Sequence, residues 1–268
     1  MRNLVVVGNC QAEVVAEGLR HPIFSPFLSV KYQFVELPDC KREEGRRDLL
    51  ECDTILVQDI SNFDNYPLRT AIPTRVRTVR FPCLRLASPW PFDSQNGSGD
   101  ARARAREDTP PMFTHFDGLL GRLRAEIPDA EARYQAYRSL ARDGVVNFQR
   151  MHQFEERRLR ALDNRFDCIL GQFILDNFRS ARLLCSTGEL KPALYRMLLQ
   201  WLLSRLDIDE NYPDDDFLDA AEVDEVPVHP VVARELGISW ADEQTTYRFY
   251  GGWVRWEEYV RRYIDHFG

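Results

Sequence analysis

The sequence predicts an α/β fold in which a small N-terminal parallel-sheet subdomain joins a mainly helical C-terminal part. Three observations carry this. Residues 4–7, Leu-Val-Val-Val, read as a buried strand, because strands covered on both faces are continuously apolar. Strand and helix signals then alternate through the first ninety residues, as they do where helices connect parallel strands. From Phe113 onward the apolar residues fall at helical spacing instead. The expected division lies at residue 100, with 1–100 as the α/β subdomain and 101–268 as the helical part.

The elements follow in order. Gly8-Asn9-Cys10-Gln11 breaks the first strand, and residues 12–19 resume at helical spacing with Val14, Val15 and Leu19 on one side. Residues 30–37, 54–58 (TILVQ) and 76–81 (VRTVRF) are the second, third and fourth expected strands. Right-handed crossovers place ligands at the carboxyl ends of parallel strands. Both Gly8–Gln11 and Gln58-Asp59-Ile60 lie at such ends. Residues 82–99, rich in Pro, Gly, Ser and Asn, read as a loop. The charged tract after it, with Arg102, Arg104 and Arg106, reads as solvated. Helices are expected at 116–127, 130–143, 147–164 and 190–206, with 168–178 (CILGQFILDNF) as a central core helix. The acidic stretch 207–225 reads as a surface loop; it lacks the glycine and terminal glutamate spacing of an EF-hand, which argues against calcium. Pro230 suits the first turn of a helix over 231–236, and an aromatic tail follows around 247–256.

Composition narrows the function classes. A chain of 268 residues can bury a full core, and 44% hydrophobic with 12% aromatic content describes a soluble globular protein. A net charge of −7 argues against general nucleic-acid binding. There is no apolar run of about 18 residues and no signal region, so no membrane span is expected. Six cysteines are scattered without a C-x-x-C pair, which argues against a zinc site and a compact disulfide framework. A cytoplasmic protein with reduced thiols is the simplest reading.

Two positions carry candidate chemistry. Cys10 stands where a strand turns into a helix, and backbone N–H groups there hold an anion or lower a thiol pKa. Free cysteines also serve as small buried hydrophobes, and GNCQ lacks the three spaced glycines of the dinucleotide fingerprint. His229 sits between Pro227-Val228 and Pro230, a stiff backbone that aims an imidazole and suits a general base or a structural hydrogen-bonder.

Several blocks together resemble the WcbI-type polysaccharide biosynthesis family: VVVGNCQAEVVAEGL at the start, TILVQDI at 54–60, RFPCLRLASPWPF at 80–92, FDCILGQFILDNFRSARLL at 166–184 and VPVHPVVARELGI at 226–238. The resemblance covers nearly the whole chain. It implies an enzyme of capsule or surface-polysaccharide assembly that binds coenzyme A in a deep cleft and acetylates a sugar hydroxyl. One departure stands out. Where family members carry an Asn-His-Pro element after the FRSARLL segment, this chain has Ser186-Thr187-Gly188-Glu189-Leu190-Lys191-Pro192. His229 is then the best remaining histidine, with His152 and His115 behind it.

The opening turn also resembles the SGNH hydrolase layout, with Cys10 in the nucleophile's place and His229-Pro230 as the base, oriented by Asp224 or Glu225. On this reading Cys10 takes the acetyl group of acetyl-CoA or lies beside the thioester, and His229 deprotonates thiol or sugar. Gly8, Asn9 and Gln11 offer amides to the oxyanion. Gln58 binds the acceptor or holds the turn, and Trp90 belongs to the site wall. Arg179 and Arg182, three apart on an expected helix, are candidates for the CoA phosphates or for ordinary ion pairs. Trp240, Trp253 and Trp256 stack on sugars or close a core. The alternatives are a glycan esterase or deacetylase, which needs no CoA, and a non-catalytic CoA- or carbohydrate-binding module.

Overall fold

The structure is a computed structural model that describes residues 1–94, 112–113, 115–139, 146–214, 216–218 and 223–268. Arg102, Arg104 and Arg106 lie outside the described residues. The chain forms two compact units, interleaved in sequence.

The first unit comprises Met1–Leu84, Ala161–Gln172 and Leu190–Glu222. Its centre is a parallel sheet of β1 (Arg2–Gly8), β2 (Leu28–Phe34), β3 (Thr54–Asp59) and β4 (Arg77–Pro82), in the order β2-β1-β3-β4. The two inner strands are the apolar ones: Leu4 to Val7 and Ile55 to Val57 are all at most 1% exposed. The outer strands β2 and β4 mix buried and open positions, because each has a sheet neighbour on one side only. Side chains alternate along a strand. Val5 and Val7 therefore pack with Ile55, Val57 and Leu49 of α2 (Arg42–Glu51) on one face. The remaining helices of this unit supply further core. In α7 (Pro192–Arg205), Leu194, Leu198, Leu199, Leu202 and Leu203 are fully buried. Leu199 reaches so close to Gly18 of α1 (Cys10–Leu19) that a Cβ at that glycine would overlap it.

The second unit comprises Arg85–Arg160, Phe173–Glu189 and Val223–Gly268. It contains α3 (Gly118–Glu126), α4 (Ala130–Ser139), α8 (Pro230–Leu236) and α9 (Trp256–Phe267). The expected helix over 147–164 is α5 (Phe148–Phe166), and the expected core helix over 168–178 is the shorter α6 (Leu170–Asn177). Two short ladders were not anticipated. β5 (Asp93–Ser94) pairs antiparallel with β6 (Phe116–Asp117), inside stretches read as loop and helix start. β7 (Thr246–Phe249) and β8 (Gly252–Arg255) form a hairpin. Its two turn residues, Tyr250 and Gly251, both have positive φ (49° and 74°), as the tightest hairpin turns require. The aromatic tail is core: Trp256, Tyr259, Tyr263 and Phe267 pack with Phe113, Leu120 and Tyr134, while Trp253 is exposed. Among the described residues no helix is long and apolar enough to cross a membrane.

Candidate functional site

The opening turn is built by side chains that bond to one another. Asn9 is the N-cap of α1; its Oδ1 accepts the amide of Gln11 at 3.0 Å. The amide of Asn9 itself donates to Gln58 Oε1 at 2.9 Å. Gln58 Nε2 donates to Gln11 Oε1 at 3.3 Å, and Gln11 closes a two-way bond with the backbone of Leu84. Gln58 and Gln11 are 0% and 2% exposed, so this network is an interior one. Gly8 is glycine because a Cβ there would lie 2.5 Å from both Ala12 Cβ and Gln58 Oε1. Tyr32 donates its hydroxyl to the carbonyl of Asn9 at 3.1 Å. Burial, Glu13 and Cys10 hold that phenol well above its usual range.

On this frame Cys10 is the first residue of α1, exposed and outside any disulfide. The sheet thus brings Gly8, Asn9, Cys10, Gln11 and Gln58 together, as their places at strand ends predict. Their roles differ from the expectation. The amides of Asn9 and Gln11 are spent inside the turn, on Gln58 and Asn9, so neither points at an oxyanion. Of the two roles expected for Gln58, the geometry matches holding the turn.

His229 and Trp90 meet in the second unit, where both line a small cavity of about 50 Å³. His229 caps α8: its Nδ1 accepts the amide of Val231 at 3.1 Å, leaving Nε2 toward the carbonyl of Tyr137 at 3.3 Å. Tyr137 and Trp256 meet the ring edge-on, at 5.2 and 4.7 Å between centroids. Burial pushes the imidazole down to about 4. A neutral ring with one nitrogen capping a helix and the other on a carbonyl has no open lone pair for a proton, and this corrects the general-base assignment. The expected acid partner is corrected too. Glu225, 3% exposed, holds Arg182 at 2.8 Å and accepts the amide of Arg248, while Asp224 accepts the amide of Tyr250. Trp90 is buried and donates its indole N–H to the carbonyl of Val226 at 2.8 Å, pinning the segment that carries His229.

Arg179 and Arg182 do not share a helix face, because α6 ends at Asn177. Arg179 donates to the carbonyl of Leu236 and lies over Phe178; Arg182 pairs with Glu225 and lies between Trp240 and Tyr247. Trp240 itself donates to the carbonyl of Phe178. His152 is buried with Nδ1 2.9 Å from Ser88 Oγ and Nε2 3.7 Å from Glu156, its pKa lowered by burial and by Arg179. His115 borders the His229 cavity.

Sequence reasoning missed Asp117. Its Oδ1 caps α3 through the amides of Leu119 and Leu120, and Tyr137 donates its hydroxyl to Oδ2. Burial, against these hydrogen bonds, pushes the carboxyl up to about 6. An Asp just before Gly-Leu-Leu was the available signal, as an N-cap; nothing local pointed to Tyr137.

Comparison with known proteins shows the family and the fold. A model of the family described as polysaccharide biosynthesis enzyme WcbI matches residues 3–211. None of the curated proteins matches the chain. A solved structure of WcbI, described as a novel polysaccharide biosynthesis enzyme in its native form without a disulfide bond between coenzyme A and one of its cysteines, aligns with a TM-score of 0.68. The alignment covers 99% of this chain and 89% of that one at 17% identity, which shows a shared fold.

Proposed function

This chain belongs to the WcbI family of polysaccharide biosynthesis enzymes, and from that premise we propose that it is a CoA-dependent O-acetyltransferase acting on a sugar hydroxyl in capsule or surface-polysaccharide assembly. The observation that carries the reading is Cys10: an exposed thiol on the first residue of a helix, in a turn locked by an interior glutamine network. A helix N-terminus favours the thiolate, the form that attacks. The solved WcbI is described by a relation between CoA and a cysteine, which supports the same partner here. The strand order β2-β1-β3-β4 fits the flavodoxin-like order, which supports the hydrolase-like layout with its site at the strand ends. A cytoplasmic location fits an enzyme that draws on acetyl-CoA.

The chemistry balances in two steps. Cys10 Sγ attacks the acetyl carbonyl, a new C–S bond forms, the bond to the CoA sulfur breaks, and the thiol proton leaves with CoA. A sugar oxygen then attacks the acetyl-cysteine, its proton returns to Sγ, and the acetyl ester departs. His229 holds α8 and the wall around Trp90 in place; Arg182 serves the fold through Glu225.

A second reading, a non-catalytic CoA- or carbohydrate-binding module, is favoured by one observation: His229 has no open nitrogen. Mass spectrometry of the protein mixed with acetyl-CoA separates the two. The enzyme reading expects a gain of one acetyl group on Cys10, absent in Cys10→Ala, and transfer to added sugar. CoA binding in calorimetry without acetylation or transfer would support the module, and full transfer by Cys10→Ala would remove the covalent route. Hydrolysis of acetyl esters in the absence of CoA would instead point to an esterase.

A further inference from the structure

The second unit has a cavity of about 700 Å³, in the range of small-molecule sites. Its lining shares Pro91, Phe92, Asp93, Phe116, Asp117 and Tyr263 with the smaller His229 cavity. Phe92 and Phe116 are half-buried, resting on the aromatic core from one side. Between them the β5–β6 ladder sets Asp93 directly opposite Asp117. Residues directly opposite in an antiparallel ladder share a face, and like charges there are destabilising. The fold satisfies Asp117 with three hydrogen bonds. The Asp93 side chain is exposed and makes no hydrogen bond to any described residue.

An exposed carboxylate next to the half-buried ring of Phe92, both lining one cavity, matches one ligand chemistry. A pyranose ring presents hydroxyl donors around its edge and apolar C–H groups on its face. Polyphosphates suit the cavity less well. Arg122 and Arg124 line it against two carboxylates, and Arg133 spends its guanidinium on the carbonyls of Ile127, Pro128 and Gly268. We propose that this cavity binds a pyranose ring, with Phe92 against its C–H face and Asp93 accepting from its hydroxyls. The inference rests on the proposed function for its choice of a sugar; the site itself does not require acetyl transfer.

Saturation-transfer difference NMR with methyl glucopyranoside, galactopyranoside and mannopyranoside tests it. Saturation of ring C–H protons by the intact protein is expected for at least one of the three. Asp93→Asn, a change at an exposed carboxylate, is expected to weaken binding roughly tenfold, and Phe92→Ala to abolish the signal. Should Phe92→Ala fail to fold, Asp93→Asn decides alone. No saturation from any of the three, or a signal that both variants leave intact, overturns the site. Calorimetry with CoA on the same samples keeps the two readings apart. CoA binding without sugar saturation defeats this site alone, whereas variant-sensitive saturation without CoA binding leaves the site standing and defeats the acetyltransferase reading.

Discussion

Replacing Gln58 with leucine would strand the amide of Asn9 and take from the Gln11 side-chain carbonyl one of its two donors, leaving it only the amide of Leu84. Each buried group left without a partner costs roughly 1–3 kcal/mol. Gln58→Leu should therefore lower the urea midpoint clearly, and it should change the rate at which Cys10 reacts with a thiol reagent, because the turn that aims Cys10 loosens. Wild-type stability and reactivity in that variant would show that Gln58 does not hold the turn. The residues of this turn were legible in the sequence because each lies at the end of a strand, and parallel pairing brings strand ends together. Their roles were not, since whether an amide faces a ligand or a neighbouring glutamine is decided by side-chain geometry that spacing does not encode. His229 is the sharper case. Two flanking prolines do aim the ring, but toward the amide of Val231 rather than toward a substrate.

Two helix caps in the second unit titrate in opposite directions. His229 on α8 has a pKa near 4 against an ordinary 6.5. Between these values the unfolded chain binds a proton that the native ring refuses, so stability present above pH 6.5 is lost as pH falls through 4. Asp117 on α3 has a pKa near 6 against an ordinary 3.8. There the native carboxyl keeps a proton that the unfolded chain has released, so stability present below pH 3.8 is lost as pH rises through 6. Each effect is on the order of 3 kcal/mol at full titration, and over pH 4 to 6 they largely cancel. Single variants should uncover them. Asp117→Asn keeps an acceptor for the α3 cap and should lose stability on acidification from pH 7 to 4.5, through the remaining histidine. His229→Asn should gain stability over the same range. Identical pH profiles for both variants and the wild type, in urea unfolding, would exclude this account. The four parallel strands and the helices other than α2 and α9 were readable because their periodicities are local. The β5–β6 and β7–β8 ladders were not, because two- and four-residue strands carry too little alternation to register and depend on partners brought in by the fold.

At the scale of the molecule, the order of the chain and the order of the cores diverge. The sheet's own sequence ends near Pro82, yet the first unit also takes in residues 161–172 and 190–222. Helix α7 alone contributes five fully buried leucines, and Leu199 fits against the bare backbone of Gly18. Deleting α7 would expose roughly 1.5–3 kcal/mol of burial for each such side chain, a total comparable to the whole 5–15 kcal/mol by which domains of this size are ordinarily stable. A fragment of residues 1–100 should therefore fail to form the parallel sheet despite containing all four of its strands. Its amide proton spectrum should lack the dispersion of a folded sheet, and its circular dichroism should resemble that of a collapsed, unfolded chain. Adding residues 161–222 through a flexible linker should restore dispersion and cooperative unfolding, since it returns the leucine face of α7 and the Asp59–Arg165 ion pair at the end of β3. A dispersed spectrum from the fragment alone would mean that the strands and α1 suffice, and that the Gly18–Leu199 contact is incidental to the stability of the Cys10 turn.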